Sequence, residues 1–205
     1  MTRATSRSAT GTRPSRARAG RAAGPARSGP GLSGAGKTTI ANNVEPELER
    51  RGFVVDHLDG DIVRTHLSKG LGFSKEDRDT NIARIGWVAS RLARAGAVVV
   101  VSAISPYEEM RRHARSLVEQ HAPFVEVFVA TPLEECARRD PKGLYAAAFA
   151  GEIEEFTGVS APYEEPLEPE LRLETMGRTP GESAATVIDR LEELNLLPER
   201  VESEL

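Results

Sequence analysis

From residue 31 onward, uninterrupted apolar runs alternate with stretches in which apolar residues recur at helical spacing, the pattern of a parallel sheet joined by crossover helices. Phe53-Val-Val-Asp-His-Leu58 reads as a strand and Phe124-Val-Glu-Val-Phe-Val129 as another. Ala97-Val-Val-Val-Val-Ser-Ala103 reads as a strand covered on both faces, because its β-branched run has no polar alternation. The spacing predicts helices over about 36–51, 78–95, 108–120 and 133–139, and a last one over about 181–195 announced by Pro180 and Gly181. Pro46 should kink or break the first. Residues 140–170, with Pro141, Gly143, Gly151, Gly158, Pro162, Pro166 and Pro169, read as a mobile flap holding one short helix around 144–150; segments of this kind often serve as lids.

At 205 residues the default is one α/β domain, but the first thirty are a different material. They hold seven of the 27 Lys and Arg residues and none of the 31 Asp and Glu residues, so the net charge of −4 averages a basic leader and a strongly acidic remainder. After Met1 the first large apolar side chain is Leu32, and residues 1–30 therefore read as a disordered leader to a domain at 31–198. No apolar stretch suits a secretory signal or a membrane span, and Cys136 is the lone cysteine, which together point to the reducing cytoplasm and away from membranes. The leader's composition overlaps that of an organellar transit peptide; as a basic arm it lacks the aromatics and the folded module of a nucleic-acid binder, so no nucleic-acid polymer is expected as a partner. His57, His66, His113 and His121 show no metal-ligand spacing, and surface or packing roles are expected for them.

The strongest motif is Gly31-Leu-Ser-Gly-Ala-Gly-Lys37-Thr38-Thr39, which fits G-x-x-x-x-G-K-[ST] at every fixed position and runs into a predicted helix. It is a P-loop: Gly31, Ser33, Gly34, Ala35 and Gly36 let backbone N–H groups curl round a β-phosphate, and the helix start at Lys37, Thr38 and Thr39 adds positive potential. Lys37 reaches the β/γ oxygens of a nucleotide, and the Thr38 hydroxyl can ligate Mg²⁺. No N-K-x-D string appears, which argues against a GTPase of the common type.

Asp59-Gly60-Asp61 follows the strand at 53–58, placing two carboxylates where open parallel sheets bind their ligands. One can orient an acceptor hydroxyl for phosphoryl transfer; equally, the pair can be an acidic turn capping a helix that starts near Ile62. Downstream, Arg64, Phe73, Arg78 and Asn81 supply cations, an aromatic and an amide, with Arg78 and Asn81 on one helix face and Ser74 with Asp77 as a helix start. A second anion site here implies an acceptor that is itself phosphorylated or sulfated, although a solvated helix face would carry the same charges.

Read together, these strings resemble the adenylylsulfate kinase family. The resemblance runs in order through the P-loop, Leu58-Asp-Gly-Asp-Ile-Val-Arg64, Leu71-Gly-Phe-Ser-Lys-Glu-Asp-Arg78, Asn81-Ile82, Ile104-Ser-Pro-Tyr107, Arg139-Asp-Pro-Lys-Gly-Leu-Tyr145, Gly151-Glu152 and Phe156-Thr-Gly158. It implies a P-loop kinase fold, a mostly parallel five-stranded sheet with helices on both faces and a lid. It also implies a homodimer, and an ATP- and Mg²⁺-dependent enzyme of sulfate assimilation that phosphorylates the 3′-hydroxyl of adenosine 5′-phosphosulfate. Another P-loop small-molecule kinase and a non-catalytic nucleotide-binding relative are the alternatives. By resemblance, Asp61, Lys37 and Ser105 are catalytic, with Asp61 at the 3′-hydroxyl and Ser105 facing the γ-phosphate. Thr38 and Asp59 would hold the metal, and Arg139 would complete the ATP pocket. Arg64, Phe73, Arg78, Asn81, Ile104, Lys142, Leu144 and Phe156 would hold the acceptor, with Phe73 and Phe156 sandwiching its adenine and Lys142 belonging to the lid.

The chain departs from the family pattern at Ala83 and Glu108, where arginine is usual, and at Ala146-Ala147-Ala148, where basic residues follow the lid tyrosine; fewer cations are expected to weaken acceptor binding. A larger departure precedes the P-loop. Ala22-Ala-Gly-Pro-Ala-Arg-Ser-Gly-Pro30 offers no apolar run for the central strand a P-loop hangs from, and Pro25, Pro30 and Arg27 oppose one. That strand is expected to be missing, with a misread start of the reading frame as the leading explanation.

Overall fold

The computed structural model describes residues 26–28, by their backbone, and residues 31–197. Five strands, β1 (Ala26–Ser28), β2 (Val55–Asp59), β3 (Val98–Ser102), β4 (Val125–Val129) and β5 (Leu171–Leu173), form one sheet in the order β2-β3-β1-β4-β5, parallel at every pairing. Among the described residues seven helices accompany them: α1 (Lys37–Arg50), α2 (Gly60–His66), α3 (Lys75–Arg94), α4 (Glu108–Glu119), α5 (Leu133–Arg139), α6 (Leu144–Phe149) and α7 (Pro180–Glu193). The P-loop kinase architecture expected from the sequence is therefore present.

The β-branched run of β3 is buried throughout because each face has its own helical layer. Val98 and Val100 pack with Ile40, Val44 and Leu48 of α1 and with Val187, Ile188 and Leu191 of α7. Val99 and Val101 pack on the opposite face with Ile82 and Ile85 of α3 and Ala114 and Val118 of α4. The α3–α4 approach depends on Gly86, where an added Cβ would lie 2.8 Å from that of Ala114.

The expectation of a missing central strand is corrected. Ala26–Ser28 pairs with β3 through Arg27 and Ser28 and with β4 through all three residues. Backbone pairing on two edges places this strand where side-chain hydrophobicity does not, and Pro25 and Pro30 fall outside the three paired residues. The disorder expected for residues 1–25, 29 and 30, and the domain end at 198, lie outside the described residues.

Pro46 neither ends nor breaks α1, which runs through it to Arg50. Pro46 and Asn42 are both exposed, so the Asn42 carbonyl that loses its intrahelical donor can bond water. The predicted lid contains α6 and otherwise one isolated bridge, Thr157 to Ala161, up to β5.

In chain order β1 leads to β2 across the intervening β3, while β4 and β5 lie on the other side. This reversal of strand order puts a crevice beside β1 at the carboxyl ends of the strands, where the P-loop, the end of β2 and the end of β3 converge.

Candidate active site

Gly36 takes φ 100° to turn the loop into α1, a left-handed conformation glycine adopts without strain. The loop is braced from outside: Thr131 Oγ1 donates to the Ala35 carbonyl (2.9 Å) and Tyr145 Oη to that of Ser33 (2.9 Å). Lys37 folds back over the loop, its Nζ donating to the Gly31 and Leu32 carbonyls at 2.9 and 2.7 Å. Burial lowers its pKa to about 8, against the upward pull of Cys136, Asp61 and Asp59. The ammonium is held dry in a site built for phosphate.

Asp59, at the end of β2, is the N-cap of α2: its Oδ1 accepts from the backbone N–H of Asp61 (2.9 Å) and Ile62 (3.4 Å). Its Oδ2 accepts from Thr38 Oγ1 (2.7 Å) and Ser102 Oγ (2.9 Å). Burial opposes ionisation, but these four donors outweigh it and hold the carboxyl below its ordinary range. The capping reading of the Asp59–Asp61 turn holds for Asp59, while Asp61, in the first turn of α2, keeps an exposed carboxylate.

Opposite the P-loop lies a cationic and aromatic wall. Arg64 Nη1 donates to the Gly72 carbonyl (2.9 Å) and its guanidinium stands 4.7 Å from the Phe73 ring centroid. Arg78, 7 % exposed, donates Nε–H to the Phe73 carbonyl (2.7 Å) and Nη2–H to the Glu155 carbonyl (2.6 Å), joining this wall to the lid. Burial, then the nearness of Arg64, pulls the Arg78 pKa down, against the upward pull of Tyr107 and Glu155. Phe73 is 56 % exposed, whereas Phe156 packs edge-on against Tyr145 with centroids 5.0 Å apart. Asn81 is buried, and its Oδ1 has no hydrogen-bond partner among the described residues.

Both halves line one cavity of about 590 Å³. From the P-loop it receives Ser33, Gly34, Gly36, Lys37, Thr38 and Thr39; from the strand ends come Asp59, Asp61 and Ile104; from the opposite wall come Arg64, Phe73, Arg78 and Asn81. The lid adds Lys142, Leu144 and Phe156, and Lys142 Nζ is ion-paired with Asp61.

Residues 30–174 match the adenylylsulphate kinase family. The chain belongs to that family. An adenylyl-sulfate kinase of Rippkaea orientalis is 55 % identical over 167 residues, 82 % of this chain and 91 % of the relative. One of Halothermothrix orenii is 53 % identical over 169 residues, 82 % and 90 % of the two chains. Among solved structures, the Mycobacterium tuberculosis APS kinase in complex with AMPPNP and APS has a TM-score of 0.79 at 47 % identity, covering 83 % of this chain and 99 % of that one.

Four residues expected in this adenylylsulphate kinase site are not brought into the cavity lining. Gly31 lies against Val129, where an added Cβ would stand 3.0 Å from the Val129 carbonyl oxygen, and Ala35 is buried beneath the loop. Arg139 is held by Glu135 (2.8 Å) beside Gly36, outside the lining. Ser105 is 3 % exposed, its Oγ has no hydrogen-bond partner among the described residues, and its carbonyl accepts from Arg111 Nη1 (3.0 Å). The wall at this point ends at Ile104. Ala83 and Glu108 are also off the cavity, and Glu108 instead bonds Arg111 (2.5 Å) and Arg112 (2.8 Å).

Ser102, Pro141, Glu154 and Thr157 line the cavity without having been assigned a site role from the sequence. The Asp59–Ser102 register had a signal: Asp59 directly follows the predicted strand at 53–58 and Ser102 is next to last in that at 97–103, and the two strands become neighbours in a parallel sheet.

The donor set fits Mg²⁺ through Thr38. Asp59 already accepts four hydrogen bonds, so its natural part is to take the Thr38 proton and leave the lone pairs of Oγ1 for a cation.

Proposed function

We propose that this chain transfers the γ-phosphoryl group of ATP to the 3′-hydroxyl of adenosine 5′-phosphosulfate. The observation that carries the reading is the union, in one cavity, of a P-loop with Lys37 and Thr38 and a wall of Arg64, Phe73, Arg78 and Asn81, with Asp61 and Lys142 on the same lining. The complex of the M. tuberculosis relative with AMPPNP and APS is consistent with two such ligands in one site.

The P-loop amides, the start of α1 and Lys37 take the β- and γ-phosphates. Thr38, with Asp59 behind it, would hold Mg²⁺, which would supply charge neutralisation at the phosphate oxygens. Arg64, Arg78 and Asn81 hold the phosphosulfate, while Phe73 and Phe156 face the adenine. Asp61 accepts the proton of the 3′-hydroxyl as the bond from O3′ to the γ-phosphorus forms and the bond to the β–γ bridging oxygen breaks, releasing ADP. Lys142 belongs to the lid that excludes water as a competing acceptor. Ser105 faces the γ-phosphate in this reading only if the loop after β3 moves. As a homodimer of the reducing cytoplasm, where buried Cys136 stays a thiol, the enzyme would serve sulfate assimilation.

An ADP-release assay with adenosine 5′-phosphosulfate, AMP and simple nucleosides as acceptors tests the substrate. Turnover confined to the phosphosulfate is expected. A preference for AMP or a nucleoside identifies another small-molecule kinase, and ATP binding without turnover identifies a non-catalytic relative.

A further inference from the structure

His57 and Asp59 sit two residues apart on β2, so both point to the face covered by α1. Asp59 lies in register with Ser102 of β3. His57 Nε2 is 2.8 Å from Ser102 Oγ, and Ser102 Oγ is 2.9 Å from Asp59 Oδ2. On its other side, His57 Nδ1 lies 3.7 Å from Glu45 Oε2, two turns along α1 from Thr38. A chain of side chains thus runs from the Glu45 carboxylate to the phosphate end of the cavity.

Proton accounting gives this chain a direction. The carboxylate of Asp59 has no proton to give, so the single hydroxyl proton of Ser102 goes to Asp59. The contact between Ser102 and His57 then requires the imidazole to donate, and Nε2 carries the hydrogen. The donation fills a lone pair on Ser102 Oγ that otherwise competes for the Thr38 proton. Thr38 Oγ1 stands 3.4 Å from Ser102 Oγ but 2.7 Å from Asp59 Oδ2. With His57 in place, Thr38 bonds Asp59 and its own lone pairs face the cavity.

We propose that His57 is a positioning residue for the cation of a metal–nucleotide complex, acting through Ser102 and Asp59 on the orientation of the Thr38 hydroxyl. The inference rests on the proposed use of this site for Mg–nucleotide. Partners behind a ligand in this way typically tune metal affinity by about tenfold or more.

The test is calorimetric titration of the full chain with ADP, once in Mg²⁺ and once in EDTA, which separates metal-linked affinity from affinity for the nucleotide alone. For His57→Leu, the gain in ADP affinity that Mg²⁺ confers is expected to shrink by about tenfold, with the EDTA affinity unchanged. His57→Gln, whose side-chain amide carries an N–H close to the place of Nε2, is expected to keep the gain, and Ser102→Ala, which removes the competing lone pair, to keep it as well. If His57→Leu does not fold, His57→Ala carries the test: alone it is expected to lose the gain, and combined with Ser102→Ala to recover it. The proposal is overturned if His57→Leu keeps the full Mg²⁺ gain, if it weakens binding equally in Mg²⁺ and EDTA, or if His57→Gln loses as much as His57→Leu. A parent chain that binds ADP no better with Mg²⁺ than without overturns the metal–nucleotide reading itself.

Discussion

Lys142 of the lid forms an ion pair with Asp61, the residue proposed to take the acceptor proton, across 81 positions of sequence. Both side chains are largely exposed, at 56 and 74 %, so solvent screening leaves the pair little weight in stability and Lys142 is able to leave Asp61 for an arriving anion. Lys142→Ala is accordingly expected to leave Tm unchanged. A lost charge-assisted contact to substrate should lower kcat/KM by about 10- to 100-fold. Thermal melts beside steady-state kinetics separate the two effects.

The buried ammonium of Lys37 makes nucleotide affinity fall on the alkaline side. Its pKa is about 8 in the free protein, and phosphate binds the charged form, so the affinity for ATP should be flat below about pH 8 and weaken as pH rises through that value. The stability linkage has the opposite sign. Below about pH 8 the folded state carries a buried charge the unfolded state does not have to bury, and this cost is relieved between about pH 8 and the ordinary lysine value of 10.5. Lys37→Met is expected to abolish turnover while leaving Tm at pH 7 equal to or above that of the parent, measured by differential scanning calorimetry.

Phe73 is exposed yet flanked by Arg64 and Arg78, an arrangement that leaves its ring face to a ligand more than to the core. Phe73→Ala should raise the KM of the acceptor by about 10- to 100-fold, the ordinary worth of stacking a base on an aromatic ring. ATP affinity, measured by titration in the absence of acceptor, should not change.

Glu108 holds the guanidinium of Arg111, which is 1 % exposed and also faces Glu126 at 3.2 Å. Placing the family's more usual arginine here sets a cation against a buried cation. Glu108→Arg should cost about 1–3 kcal/mol, read as a lowered Tm, without improving the acceptor's KM.

What was legible in the sequence is local in origin. The P-loop, the Asp59–Asp61 turn and the Arg64–Asn81 wall are runs whose spacing carries their chemistry, and β3 and β4 announce themselves through burial on both faces. The features that escaped are set by partners distant in sequence. Ala26–Ser28 becomes a strand through its two neighbours, and Leu171–Leu173 through β4 alone, neither having a distinctive side-chain pattern. Ser105 sits in a string that resembles the family's, yet packing behind Ile104 hides its hydroxyl. The contact of His57 with Ser102 spans 45 residues, and no single-chain motif foretells it.

In the proposed reaction one cavity delivers the γ-phosphoryl group of ATP to a 3′-oxygen. Incubating the chain with Mg²⁺, γ-labelled ATP and adenosine 5′-phosphosulfate, and then locating the label on the product by ³¹P NMR, tests it most directly. One labelled phosphoryl group per ADP is expected, bonded to the 3′-oxygen of the phosphosulfate, with none transferred by Asp61→Ala although that variant still binds ATP. Label appearing only as inorganic phosphate, or on any other oxygen of the acceptor, would contradict it.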